Sequence, residues 1–230
     1  MESIQSTIKF IEKRLKELGD PSKIPAMAQY GITPEQTYGV KVPHLREIAH
    51  DYRKNHEMAL ALWQINNRET RILASMIDDP KQLTEDQMEA WAMEFSYWEI
   101  CDQACMNLFE KHPLAWQKAI EWSNHENEGK KRAAFVLMAR LVVSDKKAAD
   151  EKFTPFFPLI IHESTDERNL VKKAVNWALR QIGKRNKNLN QKAIPVAEKI
   201  ATFNSKSARW IAADALRELK SEAVQERLEG

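Results

Sequence analysis

The stretch Ser96-Tyr97-Trp98-Glu99-Ile100-Cys101-Asp102-Gln103-Ala104 sets a register in which much of the chain can be read. Aligned on Asp102, four further stretches follow the same pattern, anchored at Arg71, Arg132, Lys173 and Arg209. Two positions beyond each anchor stand Leu73, Ala104, Ala134, Val175 and Ile211; six beyond stand Ile77, Leu108, Met138, Leu179 and Ala215. At about 100° per residue those two slots point roughly opposite the anchor, which predicts five related helices with anchors turned from the core. Four anchors are cationic and one is an acid. Four residues before them come Asn67, Trp98, Glu128, Asn169 and Ser205, so the one large aromatic of a polar slot precedes the one acid. For any single cation, a solvated charge near a helix start is a sufficient account. Four in register suggest a stripe.

The rest of the chain agrees with helix. It has 230 residues, 43% hydrophobic and 30% charged, with six glycines and nine prolines. Such a composition is that of a soluble globular protein in which helix is favoured throughout. Helices are expected over 3–19, 43–54, 57–66, 68–78, 85–95, 97–111, 113–123, 130–143, 150–162, 167–184, 190–202 and 206–219. Capping boxes are read at Thr33 to Gln36, Thr84 to Gln87, Ser96 with Glu99, and Ser164 to Glu167. Breaks fall at Gly19-Asp20-Pro21, Asp78-Asp79-Pro80, His112-Pro113 and Asn186 to Asn190, and no stretch alternates as a strand should. The anchors are spaced by 31, 30, 41 and 36 residues, close to one helix pair per step. One pair cannot bury its apolar face alone, so neighbours must stack. The expected fold is all-α: a right-handed α-solenoid of about six HEAT-like helical hairpins with a concave binding surface, in a single domain over 1–230.

Several function classes find no support. No apolar run is long enough to span a bilayer, and Met1-Glu2-Ser3-Ile4-Gln5-Ser6 lacks a signal-peptide core, so a cytoplasmic protein is expected. Cys101 and Cys105 lie at i and i+4 beside the core face and read as packing residues. The six histidines do not cluster with them, so no metal is expected. Gly-rich phosphate loops, Ser-His-Asp arrangements and HExxH are all missing from the sequence. The net charge of +2 conceals an asymmetry. Residues 166–220 carry 13 Lys/Arg against 5 Asp/Glu, whereas 75–128 carry 3 against 12. The basic region suits a polyanion such as nucleic acid.

Four segments resemble the AlkD-type DNA glycosylases, a family of HEAT-like-repeat DNA alkylation repair enzymes. They are Met27-Ala28-Gln29-Tyr30 followed by Gly39-Val40-Lys41-Val42-Pro43; Tyr97 to Asp102; Lys131-Arg132-Ala133-Ala134; and Val171 to Arg180. The second matches the family's aromatic–Trp–acid–x–x–Asp helix, with Tyr97-Trp98 where two tryptophans are common and Glu99 where a shorter acid stands. The resemblance implies that Asp102 is the catalytic carboxylate, that Trp98, Trp177 and Tyr30 line the lesion site, and that Arg132 meets phosphate or sugar. It implies hydrolysis of the N-glycosidic bond of cationic N3- or N7-alkylated purines in duplex DNA. No cofactor is expected, and a monomer that wraps DNA on its concave surface is the simplest case. The resemblance also implies an alternative, because the family has members that bind unusual DNA without excising bases.

Arg71, Arg132, Lys173 and Arg209 are the expected phosphate contacts, with Lys172, Arg180, Lys184, Arg185 and Lys187 as a second basic cluster. A solvated helix end accounts equally well for Lys184 to Lys187. Trp177 shares its slot with Ser75, Met106, Val136 and Ala213, so its phase permits packing too. Trp63, Trp91, Trp116, Trp122 and Trp210 are read as core or inter-repeat packing. Glu99 is read as the partner of Ser96 in a capping box. Three readings stay open: a glycosylase, a non-catalytic binder of distorted or branched DNA, and a helical platform for a protein partner.

Overall fold

The computed structural model describes residues 3–229; Met1 and Glu2, part of the N-terminal stretch read above, and Gly230 lie outside the described residues. The chain is all-α, 72% helical, with fourteen α-helices and no strand among the described residues. It forms two compact units, one up to His112 and one from Pro113.

The first unit holds α1 (Ile4–Leu18), α2 (Ile24–Gln29), α3 (Val42–Asp51), α4 (His56–Trp63), α5 (Arg68–Ile77), α6 (Glu85–Met93) and α7 (Trp98–Asn107). Helices α3, α5 and α7 pack in a row, with α4 against α5. The second holds α8 (Ala115–Glu121), α9 (Glu128–Ser144), α10 (Phe156–Glu163), α11 (Asn169–Gly183), α12 (Lys187–Ala201), α13 (Lys206–Leu219) and α14 (Glu222–Glu229). Here α9, α11 and α13 form the row, and α8, α10 and α12 back it. The five anchors fall on the row helices α5, α7, α9, α11 and α13. All ten residues of the two apolar slots are buried. Each Leu, Ile, Val or Met among them contributes about 1.5–3 kcal/mol, so the repeat register is set by the core.

Neighbouring row helices are stitched by one recurring device, a residue whose backbone N–H is held by an acid and whose carbonyl is held by an arginine. In the first unit the Val40 N–H donates to Glu69 Oε1 at 3.1 Å, and the Val40 carbonyl accepts from Arg68 Nη1 at 2.9 Å. In the second, the Leu170 N–H donates to Glu128 Oε1 at 3.3 Å and its carbonyl accepts from Arg132 Nη1 at 2.7 Å. Glu69 also accepts from Thr37 Oγ1 and the Tyr38 N–H, which fixes the loop before α3. Gly39, in that loop, has φ +75°, a left-handed conformation natural to glycine.

Three expected capping boxes are absent. Thr33 starts no helix, and the chain from there to Lys41 is loop anchored by Glu69. The N-cap of α7 is Tyr97, without a side-chain bond, because Glu99 is committed elsewhere. Ser164 closes α10 by donating to the Ile161 carbonyl, and Glu167 accepts from Ser205 Oγ and the Ser207 N–H instead. Thr84 does cap α6, its Oγ1 accepting from the Gln87 N–H at 3.2 Å. Asn186 is the N-cap of α12 and not part of a longer break. Residues 150–152 form a 3-10 turn, so α10 starts only at Phe156. Helices α2 and α14 were not expected; α2 buries none of its residues, so it carries no apolar period to read.

Candidate nucleic-acid interface

In the first unit Trp98 opens α7 and Asp102 follows one turn later on the same face; both are partly exposed. The Trp98 indole N–H donates to the Tyr30 carbonyl at 2.8 Å. That carbonyl stands at the end of α2, where Gly31, with φ +75°, turns the chain. A Cβ on Gly31 would sit 3.8 Å from Trp98 Cδ1, so the turn lies against the indole. Tyr30 itself is 75% exposed. Of the residues the resemblance names, the first unit thus brings together Trp98, Asp102 and the Tyr30 backbone.

Tyr97 and Glu99, on either side of Trp98, point inward. Tyr97 is buried, and burial, with the Glu99 charge behind it, pushes its phenol far above the usual value, so it stays neutral. Glu99 accepts from Arg68 Nε at 2.6 Å and Nη2 at 2.7 Å, a buried bidentate pair. Burial alone would lower the Arg68 guanidinium; the bond and charge of Glu99, helped by Glu69, carry it above its ordinary value. The pair locks α7 onto α5, which is what holds Trp98 at the helix start.

The cations divide by their partners. Arg71 pairs with Glu94, and its guanidinium carbon lies 4.9 Å from the Trp63 ring centroid. Arg132 is 5% exposed and serves the Leu170 carbonyl, which corrects the expectation that every anchor faces outward. Arg180 meets Glu218 at 2.7 Å and Asp214 at 3.4 Å, and Lys184 meets Glu218 at 2.6 Å. Arg185 donates to the carbonyls of Val142, Asp145, Lys146 and Ala148. Most of the expected second basic cluster is therefore structural, stabilising helix ends and the turn before Ala149.

A different set is open. Lys173, Lys206 and Arg209 are exposed and Lys172 is half-buried, on α11 and α13, and none forms an ion pair with a carboxylate among the described residues. Trp177 is half-buried on α11. Trp210, expected as a packing residue, is 42% exposed, with Lys172 Nζ 5.2 Å from its ring centroid. Sequence reading missed Lys206 and Trp210 because both fall outside the anchor slots. The apolar phases of α13 would have found them, since Ala208, Ile211, Ala212, Ala215 and Leu219 leave the opposite side to Trp210. Trp63, Trp91 and Trp122 are buried as expected, the first two stacked at 3.9 Å and 3°. Trp116 stacks on Phe156 at 5.6 Å. Cys101 and Cys105 are wholly buried and share no disulfide. No described helix is long and apolar enough to cross a membrane.

Residues 11–219 match the family described as DNA alkylation repair enzyme, and the chain belongs to that family. A solved protein described as one of a new family related to the HEAT-like repeat DNA glycosylases, with affinity for branched DNA structures, has the same fold. Its TM-score is 0.76 at 19% identity, covering 92% of this chain and 95% of the other. An uncharacterized protein of Listeria innocua is 26% identical over 120 residues, which are 50% of this chain and 54% of that protein. Another, from Listeria monocytogenes, is 28% identical over 88 residues, 37% of this chain and 39% of that one. The matches thus span about half or less of these curated relatives' length.

Proposed function

We propose that this chain is a DNA glycosylase, acting as a monomer on duplex DNA to release purines alkylated at N3 or N7. The observation that carries the reading is the Trp98–Asp102 face. It joins a partly exposed carboxylate to an indole one turn away, whose orientation is set by the Tyr30 carbonyl.

Breaking an N-glycosidic bond builds positive charge on the sugar. An N3- or N7-alkylated purine is already cationic and leaves without a general acid. One carboxylate beside the sugar then suffices, to stabilise the cation and orient water. At about 4 Å and an effective dielectric near 20, that charge pair is worth roughly 4 kcal/mol. Realised only in the transition state, it supplies about a thousandfold in rate. Trp98 suits a cationic lesion because an indole face attracts positive charge, by about 0.5–2 kcal/mol. Trp177, on the second unit, is assigned the same role, and Lys172, Lys173 and Arg209 are assigned to phosphates. Arg71, Arg132 and Arg180 keep the structural bonds described above, and their contribution to DNA contact is indirect.

The unpaired cations of α11 and α13, with the affinity described for the structural relative, favour one second reading: a binder of branched DNA that excises nothing. Incubation with duplex DNA carrying 7-methylguanine, followed by measurement of the released base, separates the two. The glycosylase reading expects release that Asp102→Asn slows by two or more orders of magnitude while binding persists. Equal rates for the two proteins would refute Asp102, and junction binding without any release would establish the second reading.

A further inference from the structure

We infer that Trp210 is a stacking platform for an unpaired nucleobase, with Lys172, Lys206 and Arg209 meeting the adjoining phosphates. The inference rests on the DNA-binding part of the reading above and names single-stranded nucleic acid as a ligand of the second unit's α13 face.

The buried residues of α13, Ala208, Ile211, Ala212, Ala215 and Leu219, fix which side of the helix is core. At about 100° per residue the opposite direction falls between Lys206 and Trp210, with Ala213 and Arg217 on the same side and Arg209 at its edge. The indole therefore belongs to the exposed face and is not a core residue at the margin. At 42% exposure the indole presents a broad π-face to solvent, where a flat ligand can reach it. Ala213, exposed and one turn on, adds no bulk beside the ring. Lys172 reaches across from α11 to lie 5.2 Å from the ring centroid, a cation–π contact that fixes the ring's attitude.

Charge decides the class of ligand. Lys172 lies over the ring, and Lys206 and Arg209 are exposed on the same helix as Trp210, Arg209 donating to Asn204. None of the three forms an ion pair among the described residues, whereas Arg217, farther along α13, is taken by Asp214. An exposed aromatic ring with cations that hold no carboxylate matches a strand of nucleic acid, with a base on the ring and phosphates on the ammonium and guanidinium groups. A protein partner of matching charge would have to bring a row of acids instead. In an intact duplex the base faces are hidden in the stack, so the ring selects bases that are unpaired, at a branch, a gap or a tail.

The test compares the full chain with its Trp210→Ala and Trp210→Phe variants, binding a labelled single strand and the blunt duplex of the same length. Trp210→Ala is expected to weaken single-strand binding by roughly tenfold or more, and duplex binding by less than about threefold. Trp210→Phe keeps a π-face and should retain most of the single-strand affinity. Because the ring is exposed, the melting temperature of either variant should match the parent. Single-strand affinity unchanged by Trp210→Ala, or equal losses on both ligands, overturns the inference. If the parent releases 7-methylguanine and binds duplex while Trp210→Ala changes nothing, this inference alone falls. If the parent binds neither ligand, the DNA-binding reading falls with it.

Discussion

Arg68 and Glu99 occupy the same slot of successive repeats, three residues before Arg71 and Asp102, and meet through two near-parallel bonds of 2.6 and 2.7 Å. Both side chains are almost sealed from water. Removing one partner of such a pair strands the other charge, at a cost of about 3–5 kcal/mol. Arg68→Ala is therefore expected to lower stability by that amount in a denaturant titration. Glu99→Gln, which keeps a hydrogen-bond acceptor, should lower it less. Parental midpoints for both variants would show that α7 is held by packing alone.

Trp98→Phe keeps an aromatic face but deletes the N–H that reaches Tyr30. A single hydrogen bond contributes about 0.5–1.5 kcal/mol net. Base release by this variant should fall by up to about tenfold, with the larger loss in kcat if the bond matters for orientation. A variant as fast as the parent would mean that the indole is positioned without Tyr30.

The division of the cations gives a paired expectation. Lys173→Ala and Arg209→Ala should each reduce the slope of log affinity against log salt by about one, with little change in melting temperature. Arg132→Ala should do the reverse, lowering the melting temperature because the Leu170 carbonyl loses its donor. Equal melting temperatures for Arg132→Ala and the parent would return this residue to the phosphate contacts.

Acid should weaken the second unit in a traceable way. Burial raises the carboxyls of Asp166 and Glu218, but the Arg168 bonds to the first and the Lys184 and Arg180 partners of the second outweigh it, holding both below their ordinary values. Carboxyls depressed in the folded state stabilise fully above the unfolded-chain value, near about pH 4, and that stabilisation is lost as pH falls through the lower folded values. Glu218→Gln should thus be less stable than the parent at neutral pH, and the gap should close below about pH 4. A gap independent of pH would assign the effect to packing.

The row helices were legible because their apolar slots repeat, and a period survives without knowledge of any partner. Glu99 was not, since its assignment needs a residue 31 positions away. The opposite charges of Arg68 and Glu99 in equivalent slots were the available signal. Arg132 reads as an outward anchor from its phase, yet α9 buries thirteen of its seventeen residues, and phase has little force on a helix enclosed nearly all round. Trp98 and Asp102 were legible as an i, i+4 pair, but the Tyr30 carbonyl was not. Backbone acceptors carry no letter in a sequence.

Cys101 and Cys105 are the chain's two thiols, and both are shut inside the first unit at 0% exposure. An electrophile that methylates DNA thus meets neither thiol on the native surface, and capture of either has to wait for the first unit to breathe open. The rate at which a thiol-specific dye enters becomes a clock for that opening, and a bound oligonucleotide that slows the clock marks which parts of the protein it braces.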